Sequence, residues 1–400
     1  MSQTAPLDIG RLRAETPGCA SVLHLNNAGS SLPTRRSLDA MIGHLELEAR
    51  IGGYEAAAAA QGAIDAFYRD TALMIAAAPG EIAYVENATR AWDMAFYSLA
   101  ASFAPGDRIL TCRSEYSSNY ISFLQVARRT GVEIVPVPDD ESGQIDLAAL
   151  ARAIDRRAKL IAISHIPTQG GLVQPAAAIG RLARQAGIPY LLDACQSVGQ
   201  MPVDVEVIGC DFLSATGRKY LRGPRGTGFL YARRSACDAL EPVFLDNHAA
   251  RWTGADRYEV VPDALRFENW EKPYAAILGL AAAIAEANAL GLPAIWQRIH
   301  ALGEALRTRL ADLPGVAVRD LGRQRCGIVT FTVAGADHTS LRNHLRRNAI
   351  NVSVSSVFTA RIDFESRGLK DVMRASVHIY NTEEELDRFV VALQEARGAI

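Results

Sequence analysis

Short apolar runs alternate with amphipathic stretches through the first two thirds of the chain. After a polar lead of about 20 residues, VLHLNNAGSSLP predicts a short strand and a turn, and residues 35–78 have a helical pattern. From residue 82 the apolar runs are IAYV, RILTC, VEIVPV, LIAIS, PYLLDA, DFLSA and GFLYA, with helices predicted from near Thr89 and Ser118. Strands that alternate with helical patterns of about 10 to 15 residues predict βαβ units around a mostly parallel sheet flanked by helices.

The pattern changes near residue 270. PYAAILGLAAAIAEANAL opens a helical region that continues to about Leu313, and the strands GVAV, CGIVTFTV, INVSV and MRASVHIY then mix with helices at HTSLRNHLRR and from Glu383. This predicts a smaller α+β domain. We therefore expect an N-terminal lead at 1–20, a large α/β domain at 21–275 and a small C-terminal α+β domain at 276–400. No low-complexity linker separates the two domains, so we expect them to pack closely.

Composition excludes several classes of protein. The 42 basic residues nearly balance 44 acidic ones among 400 residues, which excludes the strongly basic footprint of a nucleic-acid-binding chain. No apolar stretch reaches the roughly 18 to 20 residues of a membrane span, and the N-terminus lacks a signal-peptide pattern. The six cysteines and eight histidines show no metal-ligand spacing. We expect a cytoplasmic protein with reduced thiols, no metal, and neither membrane nor nucleic acid as a partner.

Lysine is scarce, which narrows the chemistry. Only Lys159, Lys219, Lys272 and Lys370 are present. DFLSATGRKY brings Lys219 to the carboxyl end of an apolar strand, before the glycine-rich GPRGTG, and PYLLDACQ brings Asp193 to the end of another; ligands of open α/β sheets bind at such ends. A lysine amine forms a Schiff base with an aldehyde, and a carboxylate can hold the proton of a pyridinium nitrogen. The pair therefore suits pyridoxal phosphate.

A phosphate site is indicated where a strand turns into a helix in VENATRAW. The first backbone N–H groups of that helix, at Asn87, Ala88 and Thr89, would face an anion. An ordinary helix cap explains Asn87 equally well.

These residues fall within a longer pattern. The run LLDACQSVGQMPVDVEVIGCDFLSATGRKYLRGPRGTGFLYARR resembles the class V aminotransferase group of fold type I pyridoxal phosphate enzymes, which includes cysteine desulfurases, C–S lyases, isopenicillin epimerase-like proteins and kynureninases. The resemblance extends from about HLNNAGSSL to RASVHIYNTEEELDRFV. It implies the fold type I architecture, pyridoxal 5′-phosphate as cofactor, an amino acid as substrate, and a homodimer with its active site at the subunit interface.

The resemblance also implies roles for individual residues. Lys219 would form the Schiff base, Asp193 would bind the ring nitrogen, and Gln196 and Thr168 would approach the phenolic oxygen. Arg374, in MRASVHIYN, would bind the substrate carboxylate, for which its planar guanidinium is well shaped. The implied phosphate contacts are Asn87, Ala88, Thr89, Thr216 and Arg218.

The chain departs from its relatives at three places. Tyr116, in SEYSSN, stands at the position of the ring-stacking residue, usually histidine, where its O–H could protonate a leaving group. Trp270 and Glu271 replace a small residue and a threonine that reach the partner subunit's phosphate, and their role is left open. The loop INVSVSSVFTARIDFESRGLKDVMR contains no cysteine, unlike that of cysteine desulfurases, and Cys326 is expected to be buried in a strand.

The leading hypothesis is a C–S lyase similar to those of ergothioneine biosynthesis. It would act on an S-substituted cysteine or its sulfoxide and release pyruvate, ammonia and a thiol-type product, with Lys219, Asp193 and Tyr116 as catalytic residues. The missing loop cysteine, Tyr116 and the stretch IPTQGGLVQP favour it. An aminotransferase, an isopenicillin N epimerase-like racemase and a cysteine desulfurase remain alternatives. A regulator that only senses the cofactor would need a DNA-binding domain, and about 20 residues precede the fold.

Overall fold

The computed structural model describes residues 7–399, so the first six residues of the predicted lead and Ile400 lie outside the described residues. In this range the strands are β1 (Leu23–His24), β2 (Ile82–Val85), β3 (Arg108–Cys112), β4 (Glu133–Val137), β5 (Ala158–Ser164), β6 (Tyr190–Asp193), β7 (Phe212–Thr216), β8 (Gly228–Ala232), β9 (Ala250–Gly254), β10 (Arg257–Val260), β11 (Val316–Val318), β12 (Ile328–Val333), β13 (Ile350–Asn351), β14 (Ser353–Ser356) and β15 (Asp371–Ser376).

The helices alternate with these strands. They are α1 (Ile9–Ala14), α2 (Arg35–Ile51), α3 (Gly53–Ala59), α4 (Gln61–Ile75), α5 (Ala88–Ala100), α6 (Ser117–Thr130), α7 (Leu147–Ala153), α8 (Ala176–Ala186), α9 (Val205–Ile208), α10 (Arg234–Asp238), α11 (Tyr274–Leu290), α12 (Leu292–Ala311), α13 (His338–Arg347), α14 (Arg361–Ser366) and α15 (Glu383–Ala399).

The central sheet has seven strands in the order β2-β8-β7-β6-β5-β3-β4. All neighbouring pairs are parallel except those made by β8, which runs antiparallel to both β2 and β7. Strands β5, β6 and β7 lie in the middle of the sheet and are buried along almost their whole length. A mostly parallel sheet flanked by helices is therefore confirmed.

The two faces of this sheet carry separate parts of the core. Leu191 of β6 packs on one face with aromatic side chains of α5 and α6, including Trp92 and Phe123. Its neighbour Leu192 packs on the other face with α8 and α11. Successive side chains of a strand point to opposite faces, and both faces are covered, which explains why these strands are apolar throughout instead of alternating.

The C-terminal part forms the antiparallel sheet β11-β12-β15-β14, which packs against α12, α13 and α15. The N-terminal segment joins it: β1 pairs in parallel with β13, and Asn26 forms a bridge with Ser376 at the end of β15. The guanidinium of Arg13 also donates to the carboxylate of Glu385 at 2.8 Å. Strand β15 is thereby held against the beginning of the chain and carries Arg374.

Among the residues described, no single helix is long and apolar enough to cross a membrane. Helices α11 and α12 satisfy such a test only together, and they meet at an angle of 84°.

Candidate active site

The candidate site lies at the carboxyl edge of the central sheet. Asp193, the last residue of β6, pairs in register with Ser164 at the end of β5 and with Ser214 in β7. Lys219 follows the end of β7 by three residues. Because parallel strands end at the same edge, residues that are far apart in sequence converge here, where open α/β sheets bind ligands.

Asp193 is a buried carboxylate held by two donors. Its Oδ1 accepts the backbone N–H of Cys195 and its Oδ2 accepts the side-chain amide of Asn119, both at 2.9 Å. Burial raises the pKa of Asp193, whereas these two hydrogen bonds and the charge of Lys219 oppose the rise. A cation such as a protonated pyridine nitrogen is therefore the ligand that this carboxylate favours.

Lys219 is also buried, with 8 % of its surface exposed, and the thiol of Cys195 lies near it. Burial raises the pKa of Cys195, while the charge of Lys219 acts in the opposite direction. Sequence reasoning did not single out Cys195. Its place in DACQ, two residues after Asp193, was a signal that could have identified it.

The predicted phosphate site forms where α5 begins. The side chain of Asn87 caps the helix by accepting the N–H of Arg90 at 2.9 Å, which leaves the first N–H groups of the helix without intrahelical acceptors. Thr216 pairs in register with Gly228 of β8. A Cβ added to Gly228 would lie 3.2 Å from Cα of Asn87 and 2.5 Å from the carbonyl oxygen of Ala215. Glycine thus permits the close approach that brings Thr216 and the start of α5 together.

Gln196 fits a polar ligand. Its Nε2 donates to the carbonyl oxygen of Ala28 at 3.1 Å, and its Oε1 is buried with no partner. Such an atom is normally satisfied in a folded protein. The cradle at α5, the Asp193 and Lys219 pair and this unpaired amide group together fit the phosphate, ring nitrogen, aldehyde and ring substituent of pyridoxal phosphate.

Arg374 lies on β15 beside this cluster. Its Nη1 donates to the carbonyl oxygen and hydroxyl of Thr168 at 2.9 and 2.8 Å, and its Nη2 donates to Oδ1 of Asn26 at 3.2 Å. Its Nε is buried and unpartnered. No carboxylate among residues 7–399 pairs with it, and burial lowers its pKa to about 10. A buried guanidinium without an acidic partner suits an incoming carboxylate.

Two predicted cofactor contacts have other partners here. The hydroxyl of Thr168 is engaged by Arg374. Arg218 donates to the carbonyl oxygen of Gly29, and its charge contributes to lowering the pKa of Arg374. In this structure the guanidinium of Arg218 is thus held near Arg374 by the N-terminal segment.

Tyr116 immediately precedes α6. Its backbone N–H donates to Glu115 at 2.8 Å, and its phenol is near enough to affect the pKa of Arg374. Glu115 and Asn119 are buried behind it, and Asn119 donates to both Glu115 and Asp193. Sequence reasoning missed both residues, although they flank Tyr116 in SEYSSN.

Trp270 and Glu271 do not join the cluster around Lys219. They line a separate cavity of about 610 Å³ together with Tyr54, His248 and Lys272. Lys272 is paired with Glu268, and the indole of Trp270 is half exposed.

Comparison with known proteins agrees with this geometry. Residues 23–389 match the family model for class V aminotransferases. A probable cysteine desulfurase of Synechocystis is 30% identical over 93% of this chain and 90% of its own. A probable hercynylcysteine sulfoxide lyase of Mycobacterium tuberculosis is 30% identical over 97% of this chain and 93% of its own. The solved apo cysteine desulfurase of Thermococcus onnurineus has 26% identity and a TM-score of 0.90, covering 97% of this chain and 98% of its own.

The family match, the fold and the strand-end cluster lead to one assignment. The expected fold type I architecture and the pyridoxal phosphate cofactor are both confirmed. The chain belongs to the class V aminotransferase family and is a pyridoxal-phosphate-dependent enzyme.

Proposed function

We propose that this enzyme is a C–S lyase that acts on an S-substituted cysteine or its sulfoxide. The observation that carries the proposal is the loop after β14, which has no cysteine and presents Phe358 with 76% of its surface exposed. A persulfide-forming desulfurase needs a mobile thiolate, and this loop offers none. The similarity to a relative described as a probable hercynylcysteine sulfoxide lyase supports the same reaction.

The side chains of the site suit an elimination. Bound pyridoxal phosphate supplies an electron sink at the amino acid's Cα. Arg374 would hold the substrate carboxylate with its planar guanidinium, which fixes the bond that stands perpendicular to the ring. The amine of Lys219 would then take the Cα proton, and Asp193 would hold the proton of the ring nitrogen.

Tyr116 would act on the leaving group. As the Cβ–S bond breaks, its electron pair goes to sulfur, and the O–H of Tyr116 would supply the proton. With one water molecule, the substrate then yields pyruvate, ammonia and a thiol, or a sulfenic acid when the substrate is a sulfoxide. The effect of the phenol on Arg374 supports a place for Tyr116 on the substrate side.

A cysteine desulfurase is the second candidate, because Cys195 lies beside Lys219. Two observations weigh against it. Burial raises the pKa of Cys195, which keeps the thiol protonated and weakly nucleophilic. Its backbone is also fixed, since its N–H is bonded to Asp193 at 2.9 Å. The aminotransferase and racemase remain possible within the same family.

One experiment separates these reactions. The purified holoenzyme is mixed with cysteine, several cysteine S-conjugates and common amino acids, while pyruvate, alanine, keto acids and Cα deuterium exchange are followed. We expect pyruvate and thiol product in equal amounts from an S-conjugate. Tyr116→Phe should lower kcat by about 10²-fold with little change in KM, which is the usual contribution of a general acid.

Cys195→Ala is the matched control. Pyruvate formation should persist in this variant if the enzyme is a lyase. Formation of alanine that disappears in Cys195→Ala would instead make the enzyme a desulfurase, and formation of a keto acid from a common amino acid would make it an aminotransferase. Deuterium exchange at Cα without net product would indicate the racemase.

We also propose that the enzyme is a homodimer. The solvent-facing side of α2 and α3 carries apolar side chains, with Ile42 and Leu45 half exposed and Tyr54 77% exposed. Tyr54 shares a cavity with Trp270, which is itself half exposed. Contiguous exposed apolar side chains are typical of an interface, and the class V resemblance implies a second copy as the occupant.

A further inference from the structure

The strongest group outside the proposed chemistry is a second buried carboxylate behind Asp193. Glu115 has 3% of its surface exposed and lies between the end of β3 and the start of α6. A carboxylate so deep in a protein is retained only when several donors satisfy it. None of the steps assigned to Lys219, Tyr116 or Arg374 uses it.

Several donors converge on Glu115. Its Oε1 accepts the backbone N–H of Tyr116 at 2.8 Å and the amide of Asn119 at 2.9 Å. Its Oε2 accepts the backbone N–H of Ser164 at 2.9 Å and the hydroxyl of Thr111 at 3.2 Å. The hydroxyl of Ser164 also donates to Oε1. The donors come from β3, β5 and α6, so they fix the carboxylate in one position.

Asn119 links the two buried carboxylates. Its Nδ2 donates one N–H to Oε1 of Glu115 and the other to Oδ2 of Asp193, each at 2.9 Å. Both oxygens bond one nitrogen, so the carboxylates are less than about 6 Å apart. Asn119 is itself buried, and its backbone carbonyl accepts the hydroxyl of Ser122 at 2.6 Å.

We propose that Glu115 is a positioning residue for the cofactor: through the shared amide of Asn119, its negative charge strengthens the hold of Asp193 on the proton of the pyridine nitrogen. The physical cause is like-charge repulsion. A second negative charge nearby disfavours the ionised form of Asp193 and makes it a better acceptor for a proton or a cation. The proposal depends on pyridoxal phosphate dependence and is independent of the lyase reaction.

The protonation of Glu115 responds to its surroundings. Burial raises the pKa of Glu115 to about 7, the charge of Asp193 adds to the rise, and the hydrogen bonds from Ser164, Asn119 and Tyr116 oppose it. The other titratable groups that face it are Tyr190 of β6 and Cys112 of β3, whose pKa values are both raised by burial and by Glu115. As the pH rises through neutrality Glu115 gains its charge, so Asp193 holds the ring proton more firmly just when solvent would remove it.

The test reads the ring nitrogen directly. The holoenzyme is prepared with pyridoxal phosphate labelled with ¹⁵N in the ring, and the NMR shift is followed against pH without substrate. Glu115→Gln, which removes the charge and keeps the shape, should lower the pH at which the ring proton is lost by about one unit. The dissociation constant for pyridoxal phosphate should rise up to about tenfold above that pH.

Two further variants separate this role from a structural one. Ser122→Ala loosens α6 at Asn119 without touching either carboxylate, so its ring-nitrogen titration should match the wild type even if its melting temperature falls. Ser164→Ala removes a donor that favours ionised Glu115, so the midpoint should shift in the same direction as in Glu115→Gln but by less. If Glu115→Gln does not fold, Ser164→Ala alone decides. An unchanged midpoint in the folded variants would overturn the proposal and leave Glu115 as an anchor for α6.

Discussion

At the scale of single residues, the chemistry of the site was partly visible in the sequence. Lys219 and Asp193 were predicted because each ends an apolar strand of a parallel sheet. Glu115 and Cys195 were not, because a glutamate in a loop is indistinguishable in sequence from a solvated one. Its burial depends on Ser164, 49 residues away, whose pairing arises only when the strands come together.

Arg374 is the residue whose substitution most directly tests amino-acid binding. Arg374→Lys keeps a positive charge but loses the planar pair of donors, so kcat/KM should fall by on the order of 10² to 10³-fold, equivalent to about 2 to 4 kcal/mol. The loss should appear mainly in KM, measured by steady-state kinetics on the best S-conjugate. Arg323→Lys, at a site where the side chain is 64% exposed, is the matched control and should leave KM unchanged.

The affinity for pyridoxal phosphate makes this prediction specific to the carboxylate. Arg374 contacts Thr168 and Asn26 and none of the residues at the start of α5. The cofactor should therefore bind Arg374→Lys as tightly as the wild type. Unchanged KM together with weakened cofactor binding would contradict the role given to Arg374.

At the scale of elements, strands and long helices were predicted well and short exposed elements were not. The apolar runs from β2 to β8 were identified because both sheet faces are covered. The hairpin of β9 and β10 was missed because most of its side chains are exposed and show no alternation. The predicted helical region at 35–78 is divided at Gly52, whose φ of 99° few residues other than glycine adopt, and again at Ala60.

Gly228 tests the junction of β8 with α5. In Gly228→Ala the added Cβ would meet the carbonyl oxygen of Ala215 at 2.5 Å and the backbone of Asn87 at 3.1 Å. Backbone must move to accept it, so we expect unfolding in urea to show a loss of about 1 to 3 kcal/mol. Cofactor titration should show at least about tenfold weaker binding, since the displaced helix start no longer meets the phosphate.

Gly43→Ala is the control for this pair of measurements. A Cβ at Gly43 has no atom within 4 Å, and the residue lies inside α2. The change should leave cofactor binding intact and raise stability by up to about 1 kcal/mol, because alanine favours helix over glycine. If Gly228→Ala bound pyridoxal phosphate like the wild type, the phosphate site would have to lie elsewhere.

At the scale of the whole molecule, the sequence predicted a sheet and helices but not how the ends of the chain meet. The pairing of β1 with β13 joins residues more than 300 positions apart, and Arg13 reaches Glu385 over a similar separation. Strands of two residues carry too little pattern to reveal a partner. These contacts nevertheless position Asn26 against Arg374, so the chain termini help to form the site. The domain limits at residues 20 and 275 stay a prediction.

The proposed homodimer is the property of the whole molecule that experiment can test most simply. One chain has a mass of 43.2 kDa, and the holoenzyme should sediment as a species of twice that mass. Trp270→Glu and Tyr54→Glu place charges in the apolar surface of α2, α3 and the Trp270 segment, where burial of an unpaired carboxylate is unfavourable. Both variants should shift sedimentation velocity profiles toward the monomer at micromolar concentration.

Val391→Glu provides the comparison, because Val391 is half exposed like Trp270 but lies on α15, away from that surface. It should sediment as the wild type does. If the partner subunit completes the site, the monomeric variants should also bind pyridoxal phosphate more weakly, and the defect should recede as protein concentration rises. A wild type that sediments as a monomer, or dissociation by Val391→Glu alone, would show that the surface of Tyr54 and Trp270 is not the dimer interface.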